Sequence, residues 1–80
     1  MEIDVHGMLR LNAKQYILES IDKCYKNGDT SLKVIHGSNH GTVIRDWLRG
    51  SKTLGDKVLE VTPFILNESD ITIIKIKKKR

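Results

Sequence analysis

The spacing of apolar residues changes period several times along the chain, and each change marks an element. Ile3 and Val5 alternate with Glu2 and Asp4, the two-residue period of a short strand that puts Asp4 and His6 together on the opposite face. Further on the interval lengthens, and Ala13, Tyr16, Ile17, Ser20, Ile21, Cys24 and Tyr25 recur as the stripe of a helix. Asn12 is its expected N-cap, with Gln15 at the third helical position, and Gly28 its expected end. Lys23 and Lys26 fall in its last turn, where the helix dipole favours cations. Leu32 to Ile35 forms a second short strand and runs into the loop His36-Gly37-Ser38-Asn39-His40-Gly41-Thr42. After Thr42, the residues Val43, Ile44, Trp47 and Leu48 share one helical stripe, Arg45, Asp46 and Arg49 point away, and Gly50 ends the helix.

Residues 51–57 connect to two runs rich in β-branched residues, Val58 to Leu66 and Ile71 to Ile76. The polar turn Asn67-Glu68-Ser69-Asp70 joins them as a hairpin. Pro63 cannot donate to a ladder, so it marks an edge or a bulge and shifts the expected start of the regular strand toward Phe64. The resulting order is βαβαββ.

Eighty residues fit one small domain, expected over residues 1–76, followed by a basic tail over 77–80. A chain of this size buries about 60% of its unfolded surface and has little apolar material to spare. The one cysteine, Cys24, cannot form an internal disulfide, and with no signal-like or long apolar segment the expected location is the cytoplasm, away from membranes. The net charge of +4 is concentrated at one end. Lys75, Lys77, Lys78, Lys79 and Arg80 supply five of the fourteen basic residues, which leaves the preceding body about neutral. Such a cluster is either a solvated end or a phosphate contact, and by itself it identifies no partner.

Two His-Gly pairs, His6-Gly7 and His36-Gly37, each stand where a strand ends and a helical pattern begins. Successive βα units bring the carboxyl ends of neighbouring parallel strands together, and ligands bind at such ends. Asp4 lies two residues before His6 on the same face, where a carboxylate can orient an imidazole. Imidazole, with an unperturbed pKa of about 6.5, exchanges protons near neutrality. The plainer alternative is that Asp4 bonds neighbouring backbone and His6 packs at a strand end. The loop from His36 to Thr42 leads into a helix amino terminus, whose spare N–H groups, with Gly37 and Gly41 admitting close approach, suit a phosphate or carboxylate; ordinary βα turns also use glycine, and Thr42 also reads as a simple N-cap. Alternation puts His36 on the face of Val34, so it must leave the strand phase to join His6 in a shared crevice, a turn that Gly37 permits. The histidines and carboxylates lack the spacing of common zinc sites, Cys24 reads as core rather than nucleophile, and Trp47 reads as core rather than a stacking platform.

These two blocks, Asp4-Val5-His6-Gly7 and Val34-Ile35-His36-Gly37-Ser38-Asn39-His40-Gly41-Thr42, resemble the signatures of the Smr domain, a small module found at the carboxyl end of MutS2 proteins, in some pentatricopeptide proteins and as stand-alone proteins. The first is similar to the family's Leu-Asp-x-His-Gly, with Ile3 in place of the leucine. The second is similar to its His-Gly-x-Gly-x-Gly loop, with Asn39 at the middle glycine and His40 after it. The resemblance covers nearly the whole chain. It implies an α/β (α+β) two-layer sandwich, with two helices on a four-stranded mixed sheet, similar to the carboxyl-terminal domain of translation initiation factor three.

The resemblance also implies a nucleic-acid-binding endonuclease that nicks or cleaves structured DNA or RNA. Asp4, His6 and His36 are then the expected catalytic residues, with His6 as general acid or base and Asp4 as its partner. Gly7, Gly37, Ser38, Asn39, His40, Gly41, Thr42 and Arg45 are expected to hold phosphate, and Lys75, Lys77 and Lys78 to add backbone affinity that weakens with salt. No cofactor is certain; a divalent metal such as magnesium is the one candidate. The expected partner is DNA or RNA, with the protein a monomer or weak dimer. Two alternatives compete: a noncatalytic DNA- or RNA-binding module using the same crevice and tail, and a small-ligand phosphate site.

Overall fold

The computed structural model describes residues 1–37, 42–50, 54–64, 66 and 70–78, with Thr42 and Val43 as backbone. The elements follow the expected order: β1 (Glu2–Asp4), α1 (Arg10–Asn27), β2 (Ser31–Ile35), α2 (Thr42–Gly50), β3 (Val58–Pro63) and β4 (Ile71–Ile76). The four strands form one mixed sheet in the order β1-β2-β4-β3. β1 and β2 are parallel, while β4 runs antiparallel to both of its neighbours, β2 and β3.

Alternation along the strands separates two faces. Ile3, Leu32, Val34, Ile74 and Ile76 point inward and form one core with Ala13, Ile17, Ile21 and Cys24 of α1 and Ile44 and Leu48 of α2. Both helices therefore cover one face of the sheet, and among the described residues no helix covers the other. Burying the larger of these side chains contributes roughly 1.5–3 kcal/mol each. Cys24 is fully buried, and burial pushes its thiol above the ordinary range, in keeping with a core residue. Trp47 is half-buried against the same core, with the Lys14 ammonium 5.3 Å from its ring centroid.

Two boundaries differ from those expected. Asn12 does not cap α1, which begins two residues earlier at Arg10 with Leu9 at the N-cap and no side-chain cap bond. The start is set by the preceding turn: Gly7 has φ +82°, the Met8 N–H donates to the Val5 carbonyl, and Leu9 is extended before the Ala13 N–H donates to its carbonyl. Tyr16 lies at the rim of the stripe, more than a third exposed, and its backbone carbonyl accepts a bond from the Ser20 hydroxyl. Gly28 does end the helix at φ +79°, its N–H donating to Tyr25 and that of Asp29 to Cys24, a paired closure that satisfies the last carbonyls. The second difference is in β3, which ends at Pro63 rather than beginning near it. As the edge strand β3 has one side unpaired, so proline's missing donor is tolerated there. The ladder register shifts between Val58 and Glu60, and the Phe64 N–H still donates to the Ile71 carbonyl.

Candidate functional site

Parallel pairing sets Asp4 beside Ile35, and the Val5 N–H donates to the Ile35 carbonyl at 2.9 Å. The two His-Gly pairs therefore leave the sheet side by side. Gly37 has φ +77°, and a β-carbon on it would stand 3.7 Å from both Cβ and Cδ2 of His6. The His6 ring thus covers the turn that opens the central loop.

Asp4 and His6 form a local pair. One carboxylate oxygen, Oδ1, accepts the His6 backbone N–H at 3.0 Å and lies 3.6 Å from Nδ1 of the ring. The backbone bond fixes the carboxylate, and its position turns Nδ1 toward it and Nε2 away. With the His6 side chain 71% exposed, a solvent-borne substrate can reach that outer nitrogen. Gly7, next along, is open around its α-carbon.

His36 does not leave the strand phase. It stays on the face of Leu32 and Val34 and is 3% exposed, beneath the turn that His6 covers from outside. Its Nδ1 lies 2.9 Å from the Gly37 carbonyl and its Nε2 2.8 Å from the Thr72 hydroxyl. A carbonyl accepts only, so Nδ1 carries the proton and donates to Gly37; in the neutral ring Nε2 then accepts from Thr72. The Thr72 oxygen in turn accepts from Arg49 Nη2 at 3.2 Å. Burial holds His36 below the ordinary imidazole range. The Gly37 bond and Asp70 oppose that shift, and the cations of Arg49 and Arg45 reinforce it. A backbone clamp completes the arrangement, since the N–H groups of His36 and Gly37 both donate to the Asp70 carbonyl, at 2.8 and 3.1 Å.

The expected phosphate-binding residues divide into three groups. Gly7, Gly37 and Arg45 lie at the carboxyl ends of β1 and β2 or on the helix beside His36; Arg45 is half-buried, with Nε 3.4 Å from Asp46 Oδ1. Ser38, Asn39, His40 and Gly41, and the side chain of Thr42, lie outside the described residues. Lys75, Lys77 and Lys78 lie elsewhere. Because β4 is antiparallel to β2, Ile71 is beside Ile35 at the site and Lys75 beside Ser31 at the far end of the sheet. At about 3.3 Å per residue, Lys77 is some 20 Å along β4 from Ile71. Lys75 also pairs with Glu60 at 3.5 Å, and the Lys77 N–H donates to the Lys57 carbonyl.

Sequence reading missed Thr72, Arg49 and the Asp70 carbonyl. Thr72 left a signal, being the polar residue on the face of β4 that otherwise carries Ile74 and Ile76. Arg49 follows Arg45 by four residues, the interval that places both on one side of a helix. Among the described residues no group of three or more histidine, cysteine or carboxylate side chains could hold a metal ion, and no helix is long and apolar enough to cross a membrane.

Two helices on one face of a four-stranded mixed sheet, with an aspartate–histidine pair and a glycine turn at the ends of its parallel strands, define an α+β two-layer domain. The same fold occurs in the crystal structure of the Smr domain of Thermus thermophilus MutS2, which this chain matches with a TM-score of 0.75 and 21% identity over 95% of its own length and 96% of that chain. The Smr domain family model matches residues 3–66, and the chain belongs to that family of generally nucleic-acid-binding, nuclease-like modules. No curated protein matches the sequence.

Proposed function

We propose that this Smr domain is an endonuclease that cleaves phosphodiester bonds in DNA or RNA, with His6 as its proton-transfer group. The observation that carries this reading is the exposed His6 ring, covering Gly37 and held with Nδ1 toward the Asp4 carboxylate. Neutral imidazole accepts a proton at Nε2 from the attacking water as its oxygen bonds phosphorus. The resulting imidazolium, stabilised by Asp4, returns a proton to the leaving oxygen as the old phosphorus–oxygen bond breaks. Gly37, Ser38, Asn39, His40, Gly41, Thr42 and Arg45 are assigned to the phosphate, where backbone donors and a cation would offset developing charge. The contacts of His36 support a positioning role, since its ring touches the Gly37 carbonyl and Thr72 from below.

The test is incubation of the chain with supercoiled plasmid and structured RNA, in magnesium, manganese or chelator. Wild-type protein is expected to cut at least one polymer, and His6→Ala to bind it without cutting. Cleavage that persists in His6→Ala and His36→Ala alike would assign the activity to a contaminant. A wild-type protein that shifts the polymers in a gel and leaves them intact would establish the noncatalytic binding module instead.

A further inference from the structure

The open face of the sheet carries apolar side chains where solvent calls for polar ones. An antiparallel strand with one wet face alternates apolar and polar residues, yet β4 presents Ile71 and Ile73 to the open side as well as Ile74 and Ile76 to the core. Pairing aligns Asp4, Ile35 and Ile71 in one row across the sheet, with Phe64 bonded through its N–H to Ile71 at the end of that row. The next row places Lys33 beside Ile73. The Lys33 ammonium is 4.4 Å from the Phe64 ring centroid, which puts the ring on the open face. Ile35, Ile71, Ile73 and Phe64 are all half-buried, so this surface is accessible.

We infer that this face is a platform for the unpaired bases of a single-stranded nucleic acid running from the His6–Gly37 turn toward Lys77 and Lys78. The inference rests on the nucleic-acid reading of the site and names the form of substrate it takes. Two features select the occupant. The platform is continuous with the site through Asp4, which heads the apolar row. Its charge also changes along the path: Lys33 pairs with Glu2 and Lys75 with Glu60, leaving the centre near neutral, while Lys77 and Lys78 lie beyond β4 at the far end. A duplex presents its phosphates outward and gains nothing from a neutral apolar surface. Unpaired bases stack on an aromatic ring and apolar neighbours while the backbone reaches the cations at the ends.

The test is binding of the full chain to fluorescent single-stranded DNA and RNA oligonucleotides and to duplexes of the same sequences. Phe64→Ala is expected to weaken single-strand binding by roughly 5- to 150-fold, the range of one lost base–aromatic stack, and duplex binding by less than about twofold. Phe64→Leu keeps an apolar side chain without the stacking ring and separates stacking from folding; it too is expected to lose single-strand affinity at an unchanged melting temperature. In wild-type protein, oligonucleotides bearing a photoreactive base are expected to cross-link to Phe64 or to the 71–77 segment.

Unchanged single-strand affinity in both Phe64 variants, equal losses on duplex and single strand, or cross-links confined to the 36–45 segment would each overturn the platform. If the Phe64 variants bind like wild type while His6-dependent cleavage persists, the platform falls and the endonuclease reading stands. If they lose single-strand affinity and wild-type protein cuts nothing, the platform stands alone. A wild-type chain that binds no nucleic acid removes both.

Discussion

The His6 ring lies over the α-carbon of Gly37, close enough that a β-carbon there would be 3.7 Å from the ring's Cδ2. That separation is ordinary van der Waals spacing, so the cost of Gly37→Ala comes from the backbone. At φ +77° a non-glycine residue is strained, and about 1–2 kcal/mol of stability is expected to be lost. Gly7→Ala is the control, with a similar φ of +82° and open space around it. Denaturant melts should show comparable losses for the two. If Gly37 shapes the floor beneath the reacting phosphate, cleavage by Gly37→Ala should fall further than that of Gly7→Ala.

Removing the Thr72 hydroxyl breaks a chain of three bonds, from Arg49 to Thr72, from Thr72 to His36 and from His36 to Gly37. Thr72→Val keeps shape and volume but leaves Nε2 of a buried imidazole without this donor, an omission that costs about 1–3 kcal/mol. Thr72→Ser restores the hydroxyl and should recover most of the loss, apart from a methyl group. Urea unfolding of the two variants checks this, and equal destabilisation would assign the effect to packing alone.

His36 gives stability a defined pH dependence. Burial lowers its pKa in the folded protein, so between the unfolded value of 6.5 and the lower folded value the unfolded chain binds more protons. The contribution of His36 is therefore complete above about pH 6.5 and is lost as pH falls through the window beneath it. Melting temperatures of wild-type protein should decline on the acid side of that value. His36→Asn, whose amide can still donate to Gly37, should be less stable at neutral pH and show a shallower decline. An unchanged slope would exclude His36 as its source.

Local periodicity made much of this legible, and long-range pairing accounts for most of what was not. The bounds of β4 and the glycine end of α1 follow from residues within each element. The phase of β2 already placed His36 with Val34. Its partner was hidden because Thr72 comes opposite Val34 only through the β2–β4 register, which a sequence separation of 36 from His36 does not announce. The separation of Lys77 and Lys78 from His6 has the same origin, since it depends on β4 entering the sheet antiparallel to β2. Asn12 misled for a local reason: it has a cap's chemistry, but the Val5–Met8 turn starts the helix before it.

The far-end position of Lys77 and Lys78 predicts a division between affinity and chemistry. If they neutralise phosphates, removing both charges in Lys77→Ala/Lys78→Ala should weaken binding most at low salt. The slope of log K against log salt should then become shallower by roughly 0.7–0.9 for each phosphate left without its cation. The cleavage rate of bound substrate should be unchanged because neither cation approaches the His6–Gly37 turn. Titrations at several salt concentrations and single-turnover rates measure the two quantities separately. A slower bound-state rate would mean that substrate placement at His6 depends on the tail.

Proton transfer at His6 predicts the opposite division. His6→Ala should lower the single-turnover cleavage rate by about 10²–10⁴-fold, the usual contribution of a positioned acid or base, while polymer affinity changes little. Asp4→Asn should have a smaller effect: its amide oxygen can still accept the His6 backbone N–H, but the charge facing Nδ1 is gone. A rate unchanged in Asp4→Asn but reduced in Asp4→Ala would limit Asp4 to holding the backbone. Rates unchanged in both variants would remove Asp4 from the mechanism.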